Sequence, residues 1–146
     1  MSTPHRNDDA CTIAVPPAAA DVLRLVTIEV VKLNHRAFKN LLDLEPDAQK
    51  ALSVISLDAY AVLDALGWAP DPDATEMVDV PLTHGHIEQL HHRRYELGCA
   101  MLDRLDALEK ASDGEAAMIH AEIDADRIIA ETLDQLFIAY GRAAAA

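Results

Sequence analysis

The pattern Glu88-x-x-His91 is the feature of this sequence that comes nearest to a metal-binding motif. Residues three apart lie on the same face of a helix, so this carboxylate and this imidazole can reach one metal ion. Helical bundles with two iron ions use this spacing on two helices and take single carboxylates from the other two. The last predicted helix has no second copy of the pattern.

A metal site would therefore need carboxylates from several helices, as in ferritin-like or hemerythrin-like bundles, and the metal would be iron, manganese or zinc. The ligand set would be drawn from Glu29, Glu88, His91, Glu122 and Asp126. The alternative is that Glu88 and His91 belong to a solvated helix edge with ion pairs three and four residues apart. We prefer this alternative and predict no cofactor.

Two charged residues fall inside predicted apolar stripes, Arg94 on the third predicted helix and Glu122 on the fourth. An isolated buried charge costs several kcal/mol, so both need partners. In an up-down bundle, Glu29 and His91 would lie near the level of Arg94, and Asn40 near that of Glu122. The pattern predicts a core polar network of these five residues. Alternatively the side chains reach water, or Arg94 holds the carboxylate of an anionic ligand.

The first predicted helix carries a second apolar seam on the side away from its core face. The seam residues follow steps of three and four and are Ile28, Val31, His35, Phe38 and Leu42. An ordered apolar stripe on a surface more often marks an interface than a single exposed residue does. The seam predicts a homodimer. The alternative is burial inside a monomer of another topology.

Charge and composition narrow the choice of partners. The net charge is −13, which repels nucleic acid and anionic membrane surfaces and suits a basic partner. The one basic cluster, residues 91–94, points to different sides of a helix, so we predict no nucleic-acid binding and no membrane binding.

Four amphipathic helices are predicted from the 3.6-residue spacing of apolar residues. Pro17 and Pro46 suit first turns, and Thr83 and Ser112 suit N-caps. Gly67 and Gly141 suit the positions after a helix end. The predicted helices begin and end at about residues 17–44, 46–66, 83–110 and 112–140.

The fold class predicted from these elements is all-α, an antiparallel up-down four-helix bundle. We expect a disordered arm over residues 1–16, a single bundle domain over residues 17–141 and a tail over residues 142–146. The connection over residues 67–82 is unusually long for a bundle and is either an ordered excursion or a crossover.

The location predicted from the sequence is the cytoplasm. Cys11 and Cys99 do not make a disulfide framework, and no secretory signal or apolar run of bilayer-spanning length is visible.

The function that these features favour is that of a non-enzymatic interaction or adaptor protein. It would be a homo-oligomer that docks a basic or helical partner through apolar helix faces. The five glycines are scattered, and no nucleophile elbow or cysteine pair is present, so catalytic motifs are missing. The alternatives are a metal-binding bundle and a small regulator that binds an anionic ligand at Arg94.

Overall fold

The computed structural model describes residues 10–40 and 46–146, and its elements follow the order strand, two helices, strand, two helices. The elements are β1 (Cys11–Val15), α1 (Pro17–Asn40), α2 (Pro46–Leu66), β2 (Val78–Leu82), α3 (His84–Leu108) and α4 (Asp113–Ala145). The expected four helices are present and make the chain mostly helical.

The helix ends follow the capping residues of the sequence. The hydroxyl of Thr83 accepts a hydrogen bond from the backbone N–H of His86, and α3 begins there. Ser112 caps α4 in the same way. Gly67 follows α2 with a φ of 83°, a left-handed conformation that glycine adopts without strain.

The helix α4 runs past Gly141 and includes most of the expected tail. An interior glycine costs only about 1 kcal/mol relative to alanine, and the alanines that follow are the strongest helix formers. The predicted end of α1 at Leu44 lies outside the described residues.

The two strands form an antiparallel ribbon centred on the pair Ile13 and Val80. Ile13, Val15, Val80 and Leu82 are buried, whereas the residues that alternate with them are exposed or half-buried. This ribbon adds a small two-stranded sheet to a mostly helical chain that is consistent with the expected all-α fold. It also corrects the disordered arm from Cys11 onward, and its second strand lies at the end of the long connection after α2. Residues 1–9 lie outside the described part of the chain.

The ribbon covers one end of a core to which all four helices contribute. Each helix supplies one leucine that is fully buried: Leu23, Leu63, Leu90 and Leu133. Burial of a side chain of this size is worth about 1.5 to 3 kcal/mol, so the core is held by every element rather than by one pair of helices.

The chain consists of two β-α-α halves, β1-α1-α2 and β2-α3-α4. The contacts between elements come in matching pairs: α1 packs on α2 as α3 packs on α4, and β2 contacts α2 as β1 contacts α4. Four pairs of buried residues lie 67 positions apart: Ile13 and Val80, Val15 and Leu82, Ala20 and Ile87, and Leu23 and Leu90. The antiparallel ribbon thus joins two related halves.

The helices of the described part of the chain do not combine the length and apolarity that crossing a bilayer requires.

Candidate functional site

A charged cleft of about 320 Å³ lies where α1, α3 and α4 meet. Four apolar side chains contribute to its lining: Val26, Leu97, Ala100 and Ile129. Charged side chains from the three helices complete it: Glu29, Arg93, Glu96, Arg104 and Asp126. The described residues of the lining are thus three acids, two arginines and four apolar side chains, which can bind by charge and apolar contact.

Arg93 joins α1 to α3 at one end of the charged cleft. Its Nη2 donates to Glu29 Oε2 at 2.6 Å, and its Nη1 donates to Glu96 Oε2 at 3.0 Å. One guanidinium between two carboxylates leaves a formal charge of −1 on this cluster. The bond to Glu29 connects helices of different halves of the chain.

Arg104 occupies the equivalent place at the other end of the charged cleft. Its Nε donates to Glu122 Oε2 at 3.2 Å, and its Nη1 donates to Asp126 on the same helix, α4. This second cluster also carries a formal charge of −1. The cleft therefore attracts cationic groups more strongly than anionic ones, as does the acidic chain as a whole.

A chain of buried polar groups crosses the core beside the ribbon. Thr83 donates to Asp58 Oδ2 of α2 at 3.1 Å and accepts from the backbone of His86. On the other side, the Nε2 of His86 lies 3.3 Å from the hydroxyl of Thr27 on α1. His86 is fully buried, and burial lowers its pKa from 6.5 to about 4. The imidazole is therefore neutral at pH 7.

The pair of Thr27 and His86 has the composition of a nucleophile and a base. Both residues are fully buried, however, and no substrate could reach the hydroxyl without opening the core. The pair therefore positions α1 against the start of α3. The amides of Asn34 and Gln89 join the same two helices, with hydrogen bonds of 3.3 and 2.8 Å in opposite directions.

The predicted metal ligands do not form one cluster, although Glu122 and Asp126 both bond Arg104. Glu88 pairs with His84 on its own helix at 3.0 Å, and the ring of His91 stacks on Phe137 with centroids 3.7 Å apart. The three acids of that set, Glu29, Glu122 and Asp126, converge on arginines instead. Within residues 10–40 and 46–146, no group of three or more His, Cys, Asp or Glu side chains could hold a metal ion.

The members of the predicted core polar network lie in separate contacts. Arg94 bonds Asp134 of α4 at 3.0 Å and is 32% exposed, and Glu122 bonds Arg104 and is 55% exposed. Glu29 bonds Arg93, His91 stacks on Phe137, and Asn40 is exposed at the end of α1. Arg94 and Glu122 each bond a side chain on another helix, but Glu122 is exposed, which corrects its predicted position in the core.

The predicted seam of α1 lies against α2 along part of its length. Val31, His35 and Phe38 line a groove of about 290 Å³ together with α2 side chains that include Leu57 and Tyr60. Ile28 is half-buried, and Leu42 lies outside the described residues. The homodimer seam therefore stays a prediction.

The α3–α4 hairpin extends beyond the core. We call residues 98–129 the distal hairpin, and none of them is buried. Large apolar side chains on and beside it are well exposed: Tyr95 by 69%, Leu102 by 64%, Met118 by 68% and Ile128 by 57%. The corresponding faces of α3 and α4 have no covering element in the described part of the chain.

Sequence reasoning missed the polar residues that are buried. Arg24 donates from Nε to Gly67 O at 2.8 Å and from Nη2 to Leu66 O at 3.0 Å, so it caps the end of α2. The core face of α1 includes Ala20, Arg24, Thr27 and Asn34, which follow helical spacing. This spacing is the sequence signal from which the burial of the three polar residues could have been predicted. Helix periodicity could not predict β2, the strand before α3 that positions Thr83 and His86.

Comparisons of the chain with protein-family models, with curated proteins and with solved structures found no match.

Proposed function

We propose that the protein is a non-enzymatic interaction protein whose distal hairpin docks a helical segment of a partner protein. The observation that carries the proposal is the exposure of Leu102, Met118 and Ile128 on the two long helices of the distal hairpin. Two helices that pack together bury one apolar stripe each against the other. Apolar residues outside these stripes are buried only when a third element packs on the pair.

The energetic argument concerns the side chains that stay in water. A leucine, isoleucine or methionine that is fully buried gains about 1.5 to 3 kcal/mol relative to an exposed one. Single exposed residues are common, but several on one hairpin form the kind of surface that marks an interface. A docked helix would cover this surface and complete a bundle of three or more helices.

We further propose that the helices adopt the antiparallel, up-down arrangement that the sequence predicts. The order of the ion pairs supports it, because Arg94 pairs with Asp134 whereas Arg104, further along α3, pairs with Asp126, further back along α4. A helix docked beside such a pair packs along its groove at a shallow angle.

The chemistry of the molecule supports binding rather than catalysis. The pair of Thr27 and His86, which has the composition of a nucleophile and a base, is closed to substrates. The guanidinium of Arg94 already bonds a carboxylate, so an anionic ligand would have to displace Asp134. Cys11 and Cys99 are free, which suits the reducing cytoplasm that we propose as the location.

Photo-crosslinking in the producing cell tests the proposal. A photoreactive residue in place of Leu102 or Met118 should give discrete adducts of higher mass, because a docked helix lies within reach of both positions. The same residue in place of Trp68, which is about as exposed but lies between α2 and β2, should give none of these adducts. Absence of a discrete adduct at both hairpin positions would contradict the proposal.

A further inference from the structure

The C-terminal half of α1 is basic in a protein that is otherwise acidic. Residues 30–40 contain three basic and no acidic residues, whereas the distal hairpin contains eight acidic and three basic residues, a net charge of −5. Lys32, Arg36 and Lys39 are exposed. A second copy of the chain therefore carries its own surface of opposite charge to the distal hairpin.

The charged residues of α1 belong to one stripe together with apolar residues. This α1 stripe follows steps of three and four and consists of Leu25, Ile28, Lys32, Arg36 and Lys39. Residues at these steps lie on the same face of a helix. Ile28 is half-buried and the other four are exposed, so the stripe is open to a partner.

A matching stripe runs along α4 through the distal hairpin. This α4 stripe also follows steps of three and four and consists of Glu115, Met118, Glu122, Ala125 and Ile129. The first four residues are exposed, and Glu122 among them bonds Arg104; Ile129 is half-buried against the core and lines the charged cleft. Its charged residues lie toward the start of α4 and its small and apolar residues toward the cleft.

We propose that the helix that docks on the distal hairpin is α1 of a second copy, with the α1 stripe lying antiparallel on the α4 stripe. This inference rests on the proposed function and names the partner.

Antiparallel alignment places apolar residues of one stripe against apolar residues of the other, and basic residues against acidic ones. Lys39 meets Glu115, and Lys32 meets Glu122, while Arg36 lays its alkyl chain on Met118 between them. Toward the cleft, Ile28 meets Ala125 and Leu25 meets Ile129. These five pairs keep one constant register, because their residue numbers add to 153 or 154 in each case. In parallel alignment, by contrast, Leu25 would meet Glu115 and Lys39 would meet Ile129.

The proposal predicts a dimer that depends on ion pairs. A two-fold arrangement uses the contact twice, with α1 of each copy on α4 of the other. Exposed ion pairs contribute little each, so the apolar contacts supply most of the affinity and the charges set the register. The dimer should weaken with added salt, since 1 M salt shortens the screening length to about 3 Å.

Charge-swap variants of the full chain test the proposal by sedimentation at low salt. The wild type should sediment as a species of twice 15.9 kDa. Lys32→Glu/Lys39→Glu and Glu115→Lys/Glu122→Lys should each dissociate more than about 100-fold more readily, because like charges then face each other. An equimolar mixture of the two variants should dimerise again, because each acidic α1 then faces a basic α4. The variant Lys50→Glu/Arg142→Glu has the same change of charge as the first variant, at exposed positions outside both stripes and outside the distal hairpin, and should stay dimeric.

Each other outcome is decisive. A wild type that is monomeric at every concentration, or a mixture that stays monomeric while both variants keep the wild-type circular dichroism, would overturn the proposal. If crosslinking from Leu102 or Met118 then still gives an adduct with another protein, the proposed function stands and only the identity of the partner fails. If it gives no adduct, both fail.

Discussion

Buried polar side chains in this protein occupy helix ends and helix crossings, where backbone groups and neighbouring helices supply their partners. Arg24 caps α2, Thr83 caps α3, and Thr27 and Asn34 face α3 from α1. A buried donor or acceptor that is left unpaired costs about 1 to 3 kcal/mol, so such positions are where polar residues can be buried at least cost. These residues fix the geometry of the core from which the hairpin extends.

The buried imidazole of His86 makes stability depend on pH. Its pKa of about 4 in the folded protein lies below the unfolded value of 6.5, because burial disfavours the charged ring. Between these two values the unfolded chain binds more protons than the folded one. The free energy of unfolding should therefore fall as the pH is lowered through this window, by about 3 kcal/mol in total from this residue.

Chemical denaturation of the wild type and His86→Gln at several pH values measures this contribution. The variant should lose the part of the pH dependence that lies between pH 6.5 and pH 4. The variant His120→Gln changes an exposed histidine of α4 and should keep the wild-type pH dependence. Parallel curves for wild type and His86→Gln would refute the assignment.

The sequence predicts individual charged residues better than it predicts their partners. Arg94 of α3 bonds Asp134 of α4, and Glu122 of α4 bonds Arg104 of α3. Their partners, Asp134 and Arg104, depend on how the helices are rotated about their axes. A stripe of apolar residues defines that rotation only coarsely. The sequence therefore singled out acids of the charged cleft as candidate site residues but did not predict the arginines that bind them.

At the level of elements, the ribbon is the feature that organises both halves of the chain. Its inward residues alternate with exposed ones at the two-residue period of a strand. Five residues of strand are too few to stand out beside helices of more than twenty. Their pairing also joins segments more than sixty positions apart, which no local pattern reports. The helices, by contrast, were predictable because their caps and periodicity are local.

Substitution in β1 distinguishes the ribbon from a disordered arm. Ile13 is buried in the core cluster, so Ile13→Ala should lower the free energy of unfolding by about 2 to 4 kcal/mol. The neighbouring Thr12 is exposed, and Thr12→Ala should change the free energy of unfolding by less than about 0.5 kcal/mol. Urea denaturation of both variants provides the measurement. Equal stabilities for the two would mean that β1 does not pack on the core.

The molecule as a whole combines two β-α-α halves of unequal length. The second half has the longer second helix, since α4 has 33 residues and α2 has 21. At the offset of 67 positions between the halves, Asp113 corresponds to Pro46, so the added residues of α4 lie at its C-terminal end, while the buried residues of α4 begin only at Ala130. The part of α4 before Ala130 belongs to the distal hairpin, whose exposed apolar side chains carry the proposed function.

Methionine oxidation tests the claim that a partner covers the distal hairpin in the cell. Met118 lies on that hairpin and is 68% exposed, whereas Met77 lies just before β2 and is 60% exposed, so the two are matched probes. In dilute purified protein both should be oxidised by peroxide at similar rates. In the producing cell Met118 should be oxidised several-fold more slowly relative to Met77. The same ratio of the two rates in the cell and in dilute solution would contradict the account.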